Sequence, residues 1–270
     1  MKLGVMLPLD GAIAERLSEL HGWNIPTCQI VCRKEGACTP ASAEMLRRLT
    51  AEHGIEITAL WSLTRGPKVW DFHTGPLVIG IVPRAYRWER MTQILEAAAF
   101  AQSIGVPHIA THAGFIPENP SDDNYHEVVA AIGFLAARLA DTGQSLLLET
   151  GEETPVTLKR TIDDVGARNV GVNFDPANLL MYGTANPLDA VDLLGPHVMG
   201  VHAKDGEYPT SGRALGVEKP LGEGRVDFPR LLGKLKAAGY DGPVTIEREI
   251  EGPEQKRDIL AAARLLAKLL

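Results

Sequence analysis

Met199-Gly-Val-His-Ala-Lys-Asp205 is a short apolar run that ends abruptly in ionisable residues. A buried strand has no structural need for His202, Lys204 and Asp205 together at one end, because each must find a partner once it leaves water. Three other strand-like runs end in the same way. Leu146-Leu-Leu-Glu149, Val170-Gly-Val-Asn-Phe-Asp175 and Val244-Thr-Ile-Glu247 each stop at a carboxylate. Two Glu, one Asp and one His at four strand ends have the makings of a cation site, given a fold that brings those ends side by side.

Working outward from that stretch, strands and helices alternate along the whole chain. Strands are predicted at about 2–7, 27–32, 55–61, 108–112, 145–149, 170–175, 197–202 and 243–249. Amphipathic helices are predicted between them, at about 12–21, 40–53, 86–104, 122–141, 155–165, 187–194, 228–238 and 253–270. Their punctuation is physical. Thr39-Pro40 supplies an N-cap followed by proline at the first helical position, and Thr154 caps ahead of Pro155. Gly54, Gly105 and Gly239 stand where helices stop. Two connections break the rhythm, 62–84 and 206–226, and both are rich in proline and glycine. Connections of that length in a compact domain are usually functional. Trp70, Phe72 and His73 in the first are placed either to cover a ligand or to pack the loop on the rim.

Eight strand–helix units with short apolar strands predict parallel strands covered by helices, and at 270 residues the natural closure is a (β/α)8 barrel, an α/β fold of one domain spanning 1–270. The alternative, an open doubly wound sheet, usually carries a glycine-rich first turn. Here that turn is Pro8-Leu-Asp-Gly-Ala12, without the G-x-G-x-x-G pattern.

A net charge of -7 with both signs dispersed argues against nucleic acid as a partner. The chain has no apolar run long enough to cross a membrane and no signal-peptide pattern, so no membrane is expected and the expected location is cytoplasmic. If the chain forms a homo-oligomer, the connections 62–84 and 206–226 are the segments that could mediate it. Cys28, Cys32 and Cys38 are expected to be free thiols. Cys28 and Cys32 share one face of a strand and read as small core residues rather than a metal pair.

Barrel active sites lie at the C-terminal ends of the strands. Glu149, Asp175, His202 and Glu247 occupy those ends on the last four strands, which neighbouring strands would place about 5 Å apart. Three carboxylates and one imidazole form a hard, oxygen-rich set. It suits one divalent cation, Mn²⁺ first, with Mg²⁺, Co²⁺ or Zn²⁺ as alternatives. A lone Glu at a strand end is commonly a loop cap, but four buried ionisable groups without a cation would be costly. Glu149 and Glu247 are the expected catalytic pair: one removes a proton from the substrate and the other returns it, with an enediolate between. His112 and Lys204 are candidates for binding substrate hydroxyls, and Trp61 for an apolar wall. A rim histidine, a surface Lys204–Asp205 ion pair and a core tryptophan are the structural alternatives. Arg248 should point away from Glu247 and serve structure.

Three segments carry a family likeness: Val201-His-Ala-Lys-Asp205, Pro220-Leu-Gly-Glu-Gly-Arg-Val-Asp-Phe-Pro229 and Gly239-Tyr-Asp-Gly-Pro-Val-Thr-Ile-Glu-Arg-Glu249. With the order Glu, Asp, His, Glu on late strands, they resemble the xylose-isomerase-like TIM-barrel superfamily of sugar phosphate isomerases and epimerases. The resemblance covers essentially the whole chain. It implies the four metal ligands and the acid/base role of the two Glu. The pattern departs from the ketose 3-epimerases at two places. Asn178 stands where they carry a substrate-binding His, and Pro155 where they carry a further Glu, although Glu152 and Glu153 lie nearby. The superfamily's DNA-repair branch needs a larger His-rich cluster that this chain lacks. The implied activity is metal-dependent isomerisation or epimerisation of a small sugar, keto-sugar or sugar derivative. The alternative is a lyase or dehydratase acting by β-elimination on a keto-sugar or keto-inositol. A barrel that only binds is a third class, against which the intact pair of Glu argues.

Overall fold

The computed structural model describes residues 1–270 except 34, 35 and 63. Along the chain run β1 (Lys2–Pro8), α1 (Ile13–Gly22), β2 (Thr27–Cys32), α2 (Pro40–His53), β3 (Glu56–Ser62), α3 (Gly75–Val78) and α4 (Arg84–Ser103). Then come β4 (His108–Thr111), α5 (Asp123–Ala140), β5 (Ser145–Glu149), α6 (Pro155–Val165), β6 (Val170–Phe174), α7 (Pro176–Met181) and α8 (Pro187–Leu194). The chain closes with β7 (Val198–Ala203), β8 (Asp205–Gly206), β9 (Glu218–Lys219), α9 (Phe228–Ala237), β10 (Pro243–Ile246) and α10 (Pro253–Leu266). The long strands form a closed parallel barrel in the order β1-β10-β7-β6-β5-β4-β3-β2, the (β/α)8 fold expected from the alternation. β8 and β9 pair separately as a small antiparallel ribbon inside the second long connection. No described helix is long and apolar enough to cross a membrane.

The predicted helix ends hold in detail. The Thr39 side chain accepts from the Ser42 backbone N–H, and the Thr39 backbone N–H donates in return to Ser42 Oγ to complete a capping box. Thr154 accepts from the Thr157 backbone N–H. Gly54 takes the left-handed conformation that ends α2. The sequence pattern did not reveal α3, α7 or the β8–β9 ribbon, because each is too short to show a period.

Strand alternation sorts side chains into two cores. The larger lies between barrel and helices and takes Cys28, Leu60, Val201 and Ile246. A smaller one, Val31, Trp61, Ala110 and Leu147, fills the barrel interior. Polar residues share that interior: Thr27, Gln29, Asn173, His202 and Thr245 are all fully or almost fully buried. Gly200 makes room for them, since a Cβ there would stand 2.5 Å from Asn173 Oδ1. The connection 62–84 is pinned to the end of β4. Gly80 sits at φ 68°, and the N–H groups of Ile81 and Val82 donate to the Ala113 carbonyl.

Candidate active site and metal centre

β10, β7, β6 and β5 are consecutive around the barrel, so their C-terminal ends share one arc of its mouth. Glu149 is the last residue of β5 and His202 lies in β7. Asp175 follows β6 and caps α7 by accepting from Asn178 N–H at 2.8 Å. Glu247 follows β10 directly. One ligand atom from each of these side chains lies within 4.8 Å of all the others. His202 Nδ1 is 3.1 Å from both Glu149 Oε1 and Glu247 Oε2, and 3.7 Å from Asp175 Oδ2.

The set fits a cation. Asp175 Oδ2 and Glu247 Oε2 are buried without a hydrogen bond, and such orphaned acceptors are costly. A divalent ion with oxygen bonds of about 2.0–2.2 Å would satisfy both and relieve the repulsion among the carboxylates. His202 is prepared for the same task. Its Nε2 faces Gln29 Oε1 at 2.9 Å, which holds the proton on Nε2 and turns Nδ1 toward the carboxylates.

The electrostatics follow from burial and crowding. Burial opposes charge on His202, but Glu149 and Glu247 outweigh it and raise its pKa well above the usual imidazole range. Burial pushes Asp175 up to about 6, against the pull of Lys204. Burial would also raise Glu149 and Glu247, yet both are held below the ordinary carboxylate range. His202 and His112 lower Glu149, and Lys204 and His202 lower Glu247.

The predicted substrate-side residues surround this centre. A cavity of about 910 Å³ opens over it, lined by Trp61, His112, Glu149, Asn178, Lys204 and Glu247 among others. Trp61 packs in the barrel interior, and its indole N–H donates to Glu149 Oε2. Asn178 uses its amide as a bridge, donating to Glu149 Oε1 at 3.2 Å and accepting from Lys204 at 3.3 Å. Lys204 is buried and does not pair with Asp205. It meets Glu249 at 2.8 Å and Glu247 at 3.4 Å. Asp205 instead accepts backbone N–H groups of Gly206, Gly222, Gly224 and Val226, so it folds the Pro220–Gly224 turn into place. Arg248 pairs with Glu218 and Asp258 and also lines the cavity. His112 directs Nδ1 to Glu152 Oε2 at 3.1 Å and leaves Nε2 4.0 Å from Glu149. Burial would lower His112, but Glu152 and Glu149 raise it to about 9. In the connection 62–84, Trp70 packs on His112 at 4.8 Å between ring centres, and Phe72 packs on Tyr182.

Gln29 and Glu249 are residues at this centre that the sequence did not point to, whereas Glu152 is one of the two carboxylates noted near Pro155. Gln29 had a signal: with Thr27 it is one of two polar residues in the interior-facing register of a short, mostly apolar strand. Glu249 lies in a loop, where nothing in a pattern reveals what it touches.

Comparison with known proteins agrees with this fold. The family described as "Xylose isomerase-like TIM barrel" matches residues 25–269. A xylose isomerase domain protein from Planctomyces limnophilus is 33% identical, with a TM-score of 0.91 over 99% of this chain and 95% of that one. A D-tagatose 3-epimerase-like protein is 22% identical, with a TM-score of 0.77 over 100% and 97% of the two chains. The probable 3-DHS dehydratase AsbF of Bacillus anthracis, involved in petrobactin synthesis, is 18% identical, with a TM-score of 0.70 over 99% of each chain. The last two are likenesses of fold.

Proposed function

Because the chain belongs to the xylose isomerase-like TIM-barrel family, we propose that it is a divalent-metal-dependent isomerase or epimerase of a small sugar, keto-sugar or sugar derivative. The observation that carries this reading is the convergence of Glu149, Asp175, His202 and Glu247 within 4.8 Å beneath one open cavity. A divalent cation bound there would polarise a carbonyl and its neighbouring hydroxyl, which acidifies the C–H bond between them. Mn²⁺ suits the oxygen-rich ligand set best.

Glu149 and Glu247 move the proton. Both are held as carboxylates, so each is ready to accept one. One takes the proton next to the carbonyl. Its return to the neighbouring carbon isomerises the sugar, whereas epimerisation needs the other Glu to take up a proton from solvent and deliver it on the opposite face. Trp61 and Asn178 hold Glu149 in place. His112, oriented by Glu152, and Lys204, beside Glu247, are positioned to meet substrate hydroxyls.

The second reading is a lyase. It shares the first proton abstraction and then expels a β-leaving group. The fold likeness to a probable dehydratase supports keeping it.

The test is turnover of a panel of ketoses and keto-sugars by the Mn²⁺-loaded protein in deuterated water. Proton transfer predicts deuterium at the reacting carbon, whereas elimination predicts a dehydrated product by mass spectrometry. Full activity in a Glu149→Gln, Glu247→Gln double variant would sink the acid/base assignment.

A further inference from the structure

We propose that Cys32 and Cys38 form a redox-active dithiol that closes to an intramolecular disulfide at the rim of the cavity. This site is separate from the proton-transfer machinery and does not depend on the identity of the sugar. Cys32 is the last residue of β2, at the end of the barrel where the cavity opens. Cys38 directly precedes Thr39, the N-cap of α2. Their sulfurs are 2.8 Å apart. A covalent S–S bond is about 2.05 Å, and even non-bonded carbon atoms rest at roughly 3.5–4.0 Å. The backbone therefore already holds the two thiols close to bonding distance, and Gly36 at φ 74° supplies a left-handed turn between them.

The surroundings suit reaction. Cys32 and Cys38 are both partly exposed, so a small oxidant can reach them. Cys38 is held below the usual thiol range by its hydrogen bond with Cys32, whereas Cys32 is raised. Cys38 also stands just before the N-terminus of α2, a position that favours a thiolate, so it is the sulfur that attacks first. Cys28 provides an internal control, since it is wholly buried and burial pushes its thiol up to about 12.

With hydrogen peroxide as oxidant the step balances. The Cys38 thiolate attacks one peroxide oxygen and breaks the O–O bond. This gives a sulfenic acid at Cys38 and, with a proton from solvent, one water. The Cys32 sulfur then attacks the Cys38 sulfur and expels hydroxide, which leaves as a second water with the Cys32 proton. Two thiols are oxidised to one disulfide, and one peroxide is reduced to two waters. A ring closed over so few intervening residues removes less chain entropy than a long loop would. Arg33 lies inside that ring and lines the cavity, so closure fixes one part of the cavity wall.

The experiment oxidises the full-length protein with hydrogen peroxide, or with oxidised glutathione, and then alkylates it before and after unfolding. Intact mass should fall by two hydrogens, and thiols titrated after unfolding should drop from three to one. Peptide mapping should give a Cys32–Cys38 cross-link, with Cys28 alkylated only once the chain is unfolded. Cys28→Ala should still close, and dithiothreitol should restore both thiols. Cys38→Ser should lose the cross-link. Disulfide-linked dimers, a stable glutathione adduct, sulfinic acid at Cys38, or three thiols surviving oxidation would each overturn the proposal.

Discussion

Replacing Gln29 by Leu removes the acceptor behind the imidazole that the metal reading depends on. His202 is completely buried, and its Nε2 has Gln29 Oε1 at 2.9 Å as its hydrogen-bond partner. Leucine is of similar size and leaves no space for a substitute water, so the N–H loses its acceptor. The ring is then free to turn, and Nδ1 loses both basicity and aim. Loss of such a supporting partner typically weakens metal binding 10–100-fold, about 1.4–2.7 kcal/mol. Gln29 itself is 1% exposed, so solvent cannot share the cost. Mn²⁺ titration by calorimetry at neutral pH measures it directly. Gln29→Glu keeps a carboxyl oxygen facing Nε2 and should bind within a few-fold of the parent. The reasoning fails if Gln29→Leu binds Mn²⁺ as tightly as the parent while His202→Ala does not bind. The metal would then use His202 without needing its orientation fixed from across the barrel.

Other expectations follow from the same geometry. Asp205→Asn sets an amide N–H₂ against two of the four backbone donors now held by the carboxylate. It should cost about 3 kcal/mol in urea unfolding despite its near-identical shape, and an unchanged midpoint would refute it. Metal affinity should fall as pH drops, because metal binding displaces protons. The raised His202 gives up one, and Asp175, raised to about 6, gives up a second below that pH. Calorimetry at several pH values should show a loss of about tenfold per pH unit above 6, steepening toward a hundredfold below it; a flat profile would count against these ligands. Gly80→Ala forces a side chain into φ 68° and puts its Cβ 2.0 Å from the Ala113 carbonyl oxygen. It should destabilise by at least about 2 kcal/mol, and thermal melting checks that. It should also loosen the connection that carries Trp70.

The barrel was legible because its evidence is local. Each of the last four barrel strands announces its end within a few residues: an apolar run, then a carboxylate or imidazole. Parallel closure then sets the four ends side by side without any further information. Gln29 marks the limit of that reading. β2 and β7 are not neighbours, and the bond between Gln29 and His202 crosses the interior, where register and twist decide which side chains meet. Lys204 shows a different limit. Adjacency in sequence suggested Asp205 as its partner, but strand alternation sends the two side chains to opposite sides. Lys204 enters the site to meet Glu247 and Glu249, while Asp205 folds the turn at 220–226. The Lys204 ammonium therefore sits among the carboxylates that a cation would also occupy, 3.4 Å from Glu247 and 3.9 Å from Asp175. A divalent ion and Lys204 would share that negative charge, so metal binding should release Lys204 in part from Glu247 and free it toward the cavity. On this reading the residue that contacts a substrate hydroxyl becomes available when the metal arrives, and the site would be completed in that order.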